Sequence, residues 1–236
     1  MIISVITAVY NGEKHLPRLI DSLRKQTDSQ FEWVVADGGS TDGTLSILNN
    51  ITDLNIIISS CNDFGVYDGL NRAIKKATGL YYLVCGADDY LSVDAIFNYT
   101  KAINISDADI ITANYIINDK VYSLKQFIWL YGINSIISSH SIGSIFKRSL
   151  HDKYGYYSKY YPICADKLFV EKAYLSGANI QKFDFIAGIY SGVGLSSVNF
   201  AKTLSENFCI SIELGQNKIL QIILFFIRII KNYKKL

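Results

Sequence analysis

Hydrophobic and polar positions repeat with two different periods along the first hundred residues. Residues 2–9 form a nearly continuous, β-branched apolar run, the pattern of a strand covered on both faces. The period then changes. Leu16, Leu19, Ile20 and Leu23 recur on one face of a helix predicted over 13–26, and Pro17 near its start is tolerated in a first turn. A second strand is predicted over 31–36, a turn of Gly, Ser, Thr and Asp over 37–43, a short helix over 44–49 and a third strand over 56–60. Val66, Leu70, Ala73, Ile74 and Ala77 carry helical spacing over 66–77, Gly79 ends that helix, and 81–85 reads as a fourth strand.

Such alternation predicts an α/β fold, a parallel sheet with helices on both faces, in which ligands bind beyond the carboxyl ends of the strands. The polar clusters Tyr10-Asn11-Gly12, Asp37-Gly38-Gly39-Ser40 and Ala87-Asp88-Asp89 follow predicted strands at those places. The second half is less regular: 138–150 and 177–197 read as strands and loops around a helix at about 166–175. No repeat or low-complexity linker divides the chain, so 1–212 is expected to be one continuous fold and 213–236 a separate appendage.

Composition narrows the classes. Half of the 236 residues are hydrophobic, ample for a packed core, while only 19% are charged and the formal net charge is +2. So weak a balance gives no global argument for a nucleic-acid partner. Cys61, Cys85, Cys164 and Cys209 form no CxxC or Cys/His cluster, which fits reduced cytoplasmic thiols rather than a zinc site or a disulfide framework. The apolar opening has no basic region before it and is expected to be a buried strand rather than a signal peptide. No stretch reaches the roughly 18–20 apolar residues that span a bilayer.

Three clusters carry candidate chemistry. Asp88 and Asp89 are adjacent carboxylates whose burial needs a countercharge. A hard divalent cation, Mg²⁺ or Mn²⁺, supplies one and can bridge to a diphosphate; the alternative is a solvated acidic turn. Asp37 can accept from a nucleobase or ribose while Gly38 and Gly39 let the backbone approach closely, although Asp-Gly-Gly-Ser is also ordinary turn composition. Asp68 and Asn71 share one helical face at i, i+3, opposite the apolar stripe, either toward the site or toward solvent.

Taken in order, Ser4-Val5-Ile6-Thr7-Ala8-Val9-Tyr10-Asn11-Gly12, Asp37-Gly38-Gly39-Ser40-Thr41-Asp42-Gly43-Thr44, Gly65-Val66-Tyr67-Asp68-Gly69-Leu70-Asn71 and Ala87-Asp88-Asp89 closely resemble inverting glycosyltransferase family two. The resemblance is nearest to its O-antigen, colanic-acid and capsule subgroup; it is strong over 2–100 and weaker to about 197. Gly38 and Gly86 stand where many relatives carry a further acid or Asn. The resemblance implies a GT-A fold, a Rossmann-like nucleotide-binding sheet, with a donor half (1–100) and an acceptor half (101–212). Ala8, Tyr10, Asn11, Asp37, Gly39, Ser40, Asp68 and Asn71 would bind the sugar nucleotide, and Asp88 and Asp89 the metal on its diphosphate. His140-Ser141-Ile142-Gly143-Ser144-Ile145-Phe146-Lys147-Arg148 resembles the family's His-then-aromatic strand, so His140 is either an acceptor contact or a structural hydrogen-bonding group. Ile163-Cys164-Ala165-Asp166-Lys167-Leu168-Phe169 resembles the stretch carrying the catalytic base, so Asp166 would deprotonate the acceptor; its alternative is a plain helix cap. Gly192-Val193-Gly194-Leu195-Ser196-Ser197 resembles a loop that closes over the donor.

The implied activity is metal-dependent transfer of a hexosyl-type sugar from a nucleotide diphosphate sugar to a lipid-linked saccharide acceptor in bacterial surface polysaccharide biosynthesis. Two alternatives are weighed against it. A sugar-phosphate nucleotidyltransferase usually opens with a Gly-rich loop carrying Arg and Lys, which Tyr10-Asn11-Gly12-Glu13 lacks. A non-catalytic saccharide-binding or scaffold protein would have no reason to keep Asp37, Asp88, Asp89 and Asp166 together. The tail, 218–236, is amphipathic: Gln221, Arg228, Asn232 and Lys235 form a narrow polar stripe interrupted by Phe225, and the rest is broadly apolar with a basic end. It suits an interfacial helix on the anionic inner face of a plasma membrane, or else docks on the protein's own core or a dimer partner.

Overall fold

The computed structural model describes residues 2–124, 137–138, 140–192 and 199–233. Strands β1 (Ile3–Val9), β2 (Phe31–Asp37), β3 (Ile56–Ser60) and β4 (Tyr81–Val84) pair in parallel in the order β3-β2-β1-β4. Their side chains divide by the two-residue period of a strand. Ile3, Val5, Val9, Trp33 and Val35 meet Leu16, Leu19, Ile20 and Leu23 of α1 (Leu16–Arg24), together with Leu48 of α2 (Thr44–Asn49). On the other face Ile6, Val34 and Ala36 meet Leu70, Ala73 and Ile74 of α3 (Val66–Lys76).

Helix α1 is shorter than its pattern predicts because its would-be first turn has another task. The Glu13 amide donates to Asp42 Oδ2 at 3.1 Å and the Glu13 carboxylate accepts from the Gly43 amide at 3.0 Å. Those bonds brace the loop after β2 and hold residue 13 out of the helix.

The sheet continues beyond β4. It takes in β5 (Tyr90–Leu91), β6 (Ile110–Ile117), β7 (Lys120–Tyr122), β8 (Ser144–Lys147) and β9 (Ile180–Ile189). Strand β8 runs antiparallel between β4 and β6, β9 is parallel to β6 with register shifts on either side of Asn114, and β5 is antiparallel to β9. The helices of this half are α4 (Ala95–Asn104), α5 (Leu150–Tyr154), α6 (Ala165–Leu175), α7 (Phe200–Glu213) and α8 (Lys218–Lys231).

Helix α8 lies on α7, with Phe225 against Phe208 at 5.1 Å between ring centroids. Its packed side holds Gln221, which is buried and donates to Gln216 Oε1 at 2.8 Å, and Phe225 beside it, while Arg228 of the stripe read as polar is exposed. The apolar surface points outward. Lys234 and Lys235 lie outside the described residues.

A buried polar relay ties α5 to β4 and to Tyr157 in the segment that follows α5. His151 Nδ1 lies 3.1 Å from the Gly155 carbonyl, an acceptor, so Nδ1 carries the hydrogen and Nε2 accepts from the Tyr82 hydroxyl at 2.7 Å. Tyr82 in turn sits 3.0 Å from the Tyr157 hydroxyl. Burial pushes the imidazole down to about 4 from its usual 6.5, more than the Gly155 carbonyl and Asp152 restore. The folded state therefore holds His151 neutral where an unfolded chain would protonate it, so the contribution is complete above about pH 6.5 and is lost as pH falls toward 4. At about 1.4 kcal/mol for each pH unit, it is bounded at about 3 kcal/mol. Urea unfolding between pH 7 and 4 should show this loss, with a shallower decline in His151→Phe; equal slopes in both proteins would contradict the relay's role.

Candidate active site

The loops after β1 and β2 are joined by hydrogen bonds. The Asn11 amide donates to Ser40 Oγ at 2.8 Å, Asn11 Oδ1 accepts from the Thr41 amide at 2.9 Å, and the Gly12 amide donates to Thr44 Oγ1 at 2.8 Å. Asn11 adopts a left-handed conformation (φ 50°) that Asn tolerates better than most residues. Tyr10 stands exposed above this junction, and Ala8, paired with Ala36, lies below it on the α3 side.

Asp37 ends β2 fully buried. It accepts from the Gly39 amide at 3.0 Å, the Ser40 amide at 3.2 Å and the Ser60 hydroxyl at 2.6 Å. Burial pushes its carboxyl up, but the bonds from Ser40, Ser60 and Gly39 outweigh it, and the group stands below the usual carboxylate range. Glycine suits position 39 because φ is +84°, a conformation that L side chains rarely adopt. Sequence reasoning missed Arg72, which follows Asn71 on α3. Its Nη2 donates to the Asp37 carbonyl at 2.7 Å, its Nη1 donates to the Cys61 carbonyl at 3.1 Å and touches Cys61 Sγ, and it pairs with Asp63 at 3.5 Å. The available signal was a cation in mid-helix, apart from Lys75 and Lys76 in the last turn.

Asp68 and Asn71 do not act from one face. Asp68 Oδ2 accepts the Phe64 amide at 3.3 Å, closing the loop that precedes α3. Asn71 is buried, and the Tyr157 backbone takes both ends of its amide: Nδ2 donates to the Tyr157 carbonyl and Oδ1 accepts the Tyr157 amide, each at 2.9 Å. This corrects the expectation that Asn71 turns away from the core. It is a tie between α3 and the segment leading to α6.

The acid pair follows β4. Asp89 is 2% exposed and accepts the Ser191 amide at 3.0 Å, while Asp88 accepts the Ser191 hydroxyl at 2.7 Å. A Cβ at Gly86 would lie 2.9 Å from an oxygen of each carboxylate, so a side chain there would press on the pair. His140 stacks on Tyr190 at 3.8 Å between ring centroids, with Nε2 3.7 Å from Asp89 Oδ2. Burial pushes His140 down to about 4, against the pull of Asp88, so it is a neutral imidazole and no countercharge. Burial, with Asp88 adding to it, pushes Asp89 up to about 7.

A divalent cation fits this set. It would supply the charge that Asp89 lacks, and both donors are hard oxygens. Among the described residues no cluster of three or more His, Cys, Asp or Glu side chains forms a metal cage. Two carboxylates leave the remaining positions to phosphate and water, the usual manner for Mg²⁺.

Asp166 occupies the first turn of α6, where the helix dipole favours its anion. The Tyr67 hydroxyl lies 2.7 Å from Asp166 Oδ1 and 2.8 Å from the Ile163 carbonyl, and the Lys167 amide donates to the same Oδ1 at 2.8 Å. The residue opens to solvent, yet the protein crowded around its carboxyl lifts it above the usual range despite these bonds. Tyr67 also escaped the sequence reading, which gave it no role within Gly65-Val66-Tyr67-Asp68-Gly69-Leu70-Asn71. Residues 193–198 of the Gly-rich loop lie outside the described residues. An open depression of about 570 Å³ between α4, β6, β7 and β9, lined by Asn98, Asn114 and Asp184 among others, shares no residue with this site.

A parallel sheet whose strand ends carry a satisfied buried aspartate and an unsatisfied acid pair has the form of a nucleotide-binding transferase. The Glycosyl transferase family 2 profile matches residues 4–173, and the chain belongs to that family: it is a glycosyltransferase with the GT-A fold. It is 29% identical over 224 residues to a PGL/p-HBAD biosynthesis glycosyltransferase of Mycobacterium bovis, covering 90% of this chain and 86% of that one. It is 28% identical over 190 residues to the poly(ribitol-phosphate) β-N-acetylglucosaminyltransferase TarS of Staphylococcus aureus, covering 75% of this chain and 33% of TarS. The crystal structure of TarS residues 1–349 superposes with a TM-score of 0.75 at 24% identity, covering 94% of this chain and 68% of that one. A mannosyltransferase from Pyrobaculum calidifontis, in complex with GDP-Man and Mn²⁺, superposes at 0.71 and 18% identity, covering 90% and 63%.

Proposed function

We propose that this glycosyltransferase moves a sugar, with inversion, from a nucleotide diphosphate sugar to a lipid-linked saccharide of a bacterial surface polysaccharide of the O-antigen or capsule type, working on the inner face of the plasma membrane. The observation that carries the donor assignment is the pairing of a satisfied, ionised Asp37 with an acid pair that lacks a countercharge, both at the carboxyl edge of one parallel sheet. Solved structures of TarS with UDP-GlcNAc and of the mannosyltransferase with GDP-Man support the same donor class. The relatives in PGL/p-HBAD biosynthesis and in poly(ribitol-phosphate) glycosylation support a glycoconjugate acceptor.

In this reading the joined loops of Tyr10, Asn11, Gly39 and Ser40 hold the nucleoside with Asp37 as hydrogen-bond acceptor. A divalent cation on Asp88 and Asp89 would neutralise charge on the diphosphate leaving group. Asp166 takes the proton from the acceptor hydroxyl as that oxygen bonds to the anomeric carbon and the bond to the diphosphate breaks. Burial raises its pKa, which makes it a better base than an ordinary aspartate. The Tyr67 hydroxyl fixes the oxygen that receives the proton or the one beside it. Asp166→Asn should lower turnover by about 10²-fold or more with donor affinity unchanged. Near-normal turnover in that variant would reassign Asp166 to capping.

Membrane contact is read from α8. Ile219 and Ile230 are 72% and 71% exposed, and Leu220, Ile222, Ile223, Phe226 and Ile227 are exposed between them. No acid follows Glu213, whereas Arg228 and Lys231 lie in the last turn. No helix among the described residues is long and apolar enough to cross a membrane, so the helix would lie in the interface. Each large apolar side chain contributes about 1.5–3 kcal/mol if fully buried, and each cation about 1 kcal/mol near an anionic surface. The protein should sediment with anionic liposomes, and Ile223→Asp with Phe226→Asp should release it while leaving its fold intact. Wild-type protein that stays in the supernatant would make α8 a dimerisation surface instead.

A further inference from the structure

Helix α7 reaches the candidate base through one side chain. Glu206 is 7% exposed, and its Oε2 accepts the Ile163 amide at 3.0 Å and the Cys164 amide at 2.8 Å. Cys164 caps α6, so these amides lie where a helix start presents donors without intrahelical partners. Asp166 follows two residues later. On the opposite side the Tyr67 hydroxyl, from α3, faces the Ile163 carbonyl and Asp166 Oδ1. The peptide leading into the base is thus held from both sides, its N–H groups by α7 and its carbonyl by α3.

The rest of the contact supports the same clamp. Ile210 of α7 packs on Cys164 and Leu168, and the Tyr161 hydroxyl donates to Glu213 Oε2 at 2.7 Å. Glu206 Oε1 is buried without a hydrogen-bond partner. Burying a carboxylate with one oxygen unmatched is unfavourable, a poor arrangement if α7 only needed to pack.

We infer that Glu206 is a positioning residue for the reaction, fixing the start of α6 so that the Asp166 carboxyl meets Tyr67 and the acceptor hydroxyl. The inference rests on the reading of Asp166 as base. It makes the C-terminal helix pair, whose outer member carries the proposed membrane face, part of the catalytic frame. Displacement of a reacting group by about 1 Å through a distant change can cost up to about 10²-fold in rate.

The test is steady-state transfer by full-length Glu206→Ala and Glu206→Gln, normalised to folded protein. Glu206→Ala leaves both amides unpaired and should lower kcat about 10-fold, with the donor KM within about twofold of wild type. Glu206→Gln keeps the reach and an acceptor oxygen; it should fold normally and recover most of that loss, leaving kcat two- to threefold down at about the same donor KM. A kcat equal to wild type in the glutamine variant overturns the inference, even if the alanine variant does not fold. A folded alanine variant with normal kcat overturns it also. Failure of the underlying reading is separable, because it would appear as normal turnover in Asp166→Asn whatever Glu206 does.

Discussion

Parallel pairing in register across β1, β2 and β3 sets Val9, Asp37 and Ser60 level at one edge of the sheet, and the site depends on that alignment. Because the strands end together, the loop after β1 lies within hydrogen-bond reach of the loop after β2, and Asn11 and Gly12 find Ser40 and Thr44. The same alignment brings the Ser60 hydroxyl from the next strand to Asp37. A slip of one residue would turn Asp37 to the opposite face and break every one of these contacts.

The two buried aspartates at this edge show how environment divides one residue type into two roles. Asp37 has four donors around it and stays readily ionised without a cation. Asp89 is raised by burial first and by the neighbouring Asp88 carboxylate, against the Ser191 amide, with only a neutral imidazole at 3.7 Å. In the proposed reading the first accepts from a neutral ligand and the second is completed by positive charge. Asp166 is intermediate: it is crowded, hydrogen-bonded by Tyr67, and open on one side to a substrate.

What the sequence made legible follows from range. Elements fixed by their own periodicity, β1 to β4, α1 and α3, were readable, and with them the places of Asp37, Asp88 and Asp89 after their strands. The rest is set by partners far along the chain. Strands β6 and β9 pair across about seventy residues with two register shifts, and α4 and α7 pack without strong local stripes. Asn71 was read as facing either the site or solvent because its partner, the Tyr157 backbone, is 86 positions away. Glu13 left its helix to brace residues 42 and 43, and Glu206 is defined by two amides more than forty residues before it. In α8 nothing local indicated that Gln221 would be the buried residue and its apolar neighbours the exposed ones.

The most direct test of the account is a thermal-shift measurement with a panel of nucleotide diphosphate sugars, each with Mn²⁺ and with excess EDTA, because a ligand that binds the folded state raises Tm. The account predicts that at least one donor raises Tm with Mn²⁺ and loses most of that effect in EDTA or in Asp89→Asn. A shift of the same size in EDTA and in Asp89→Asn, or no shift with any donor, would contradict it.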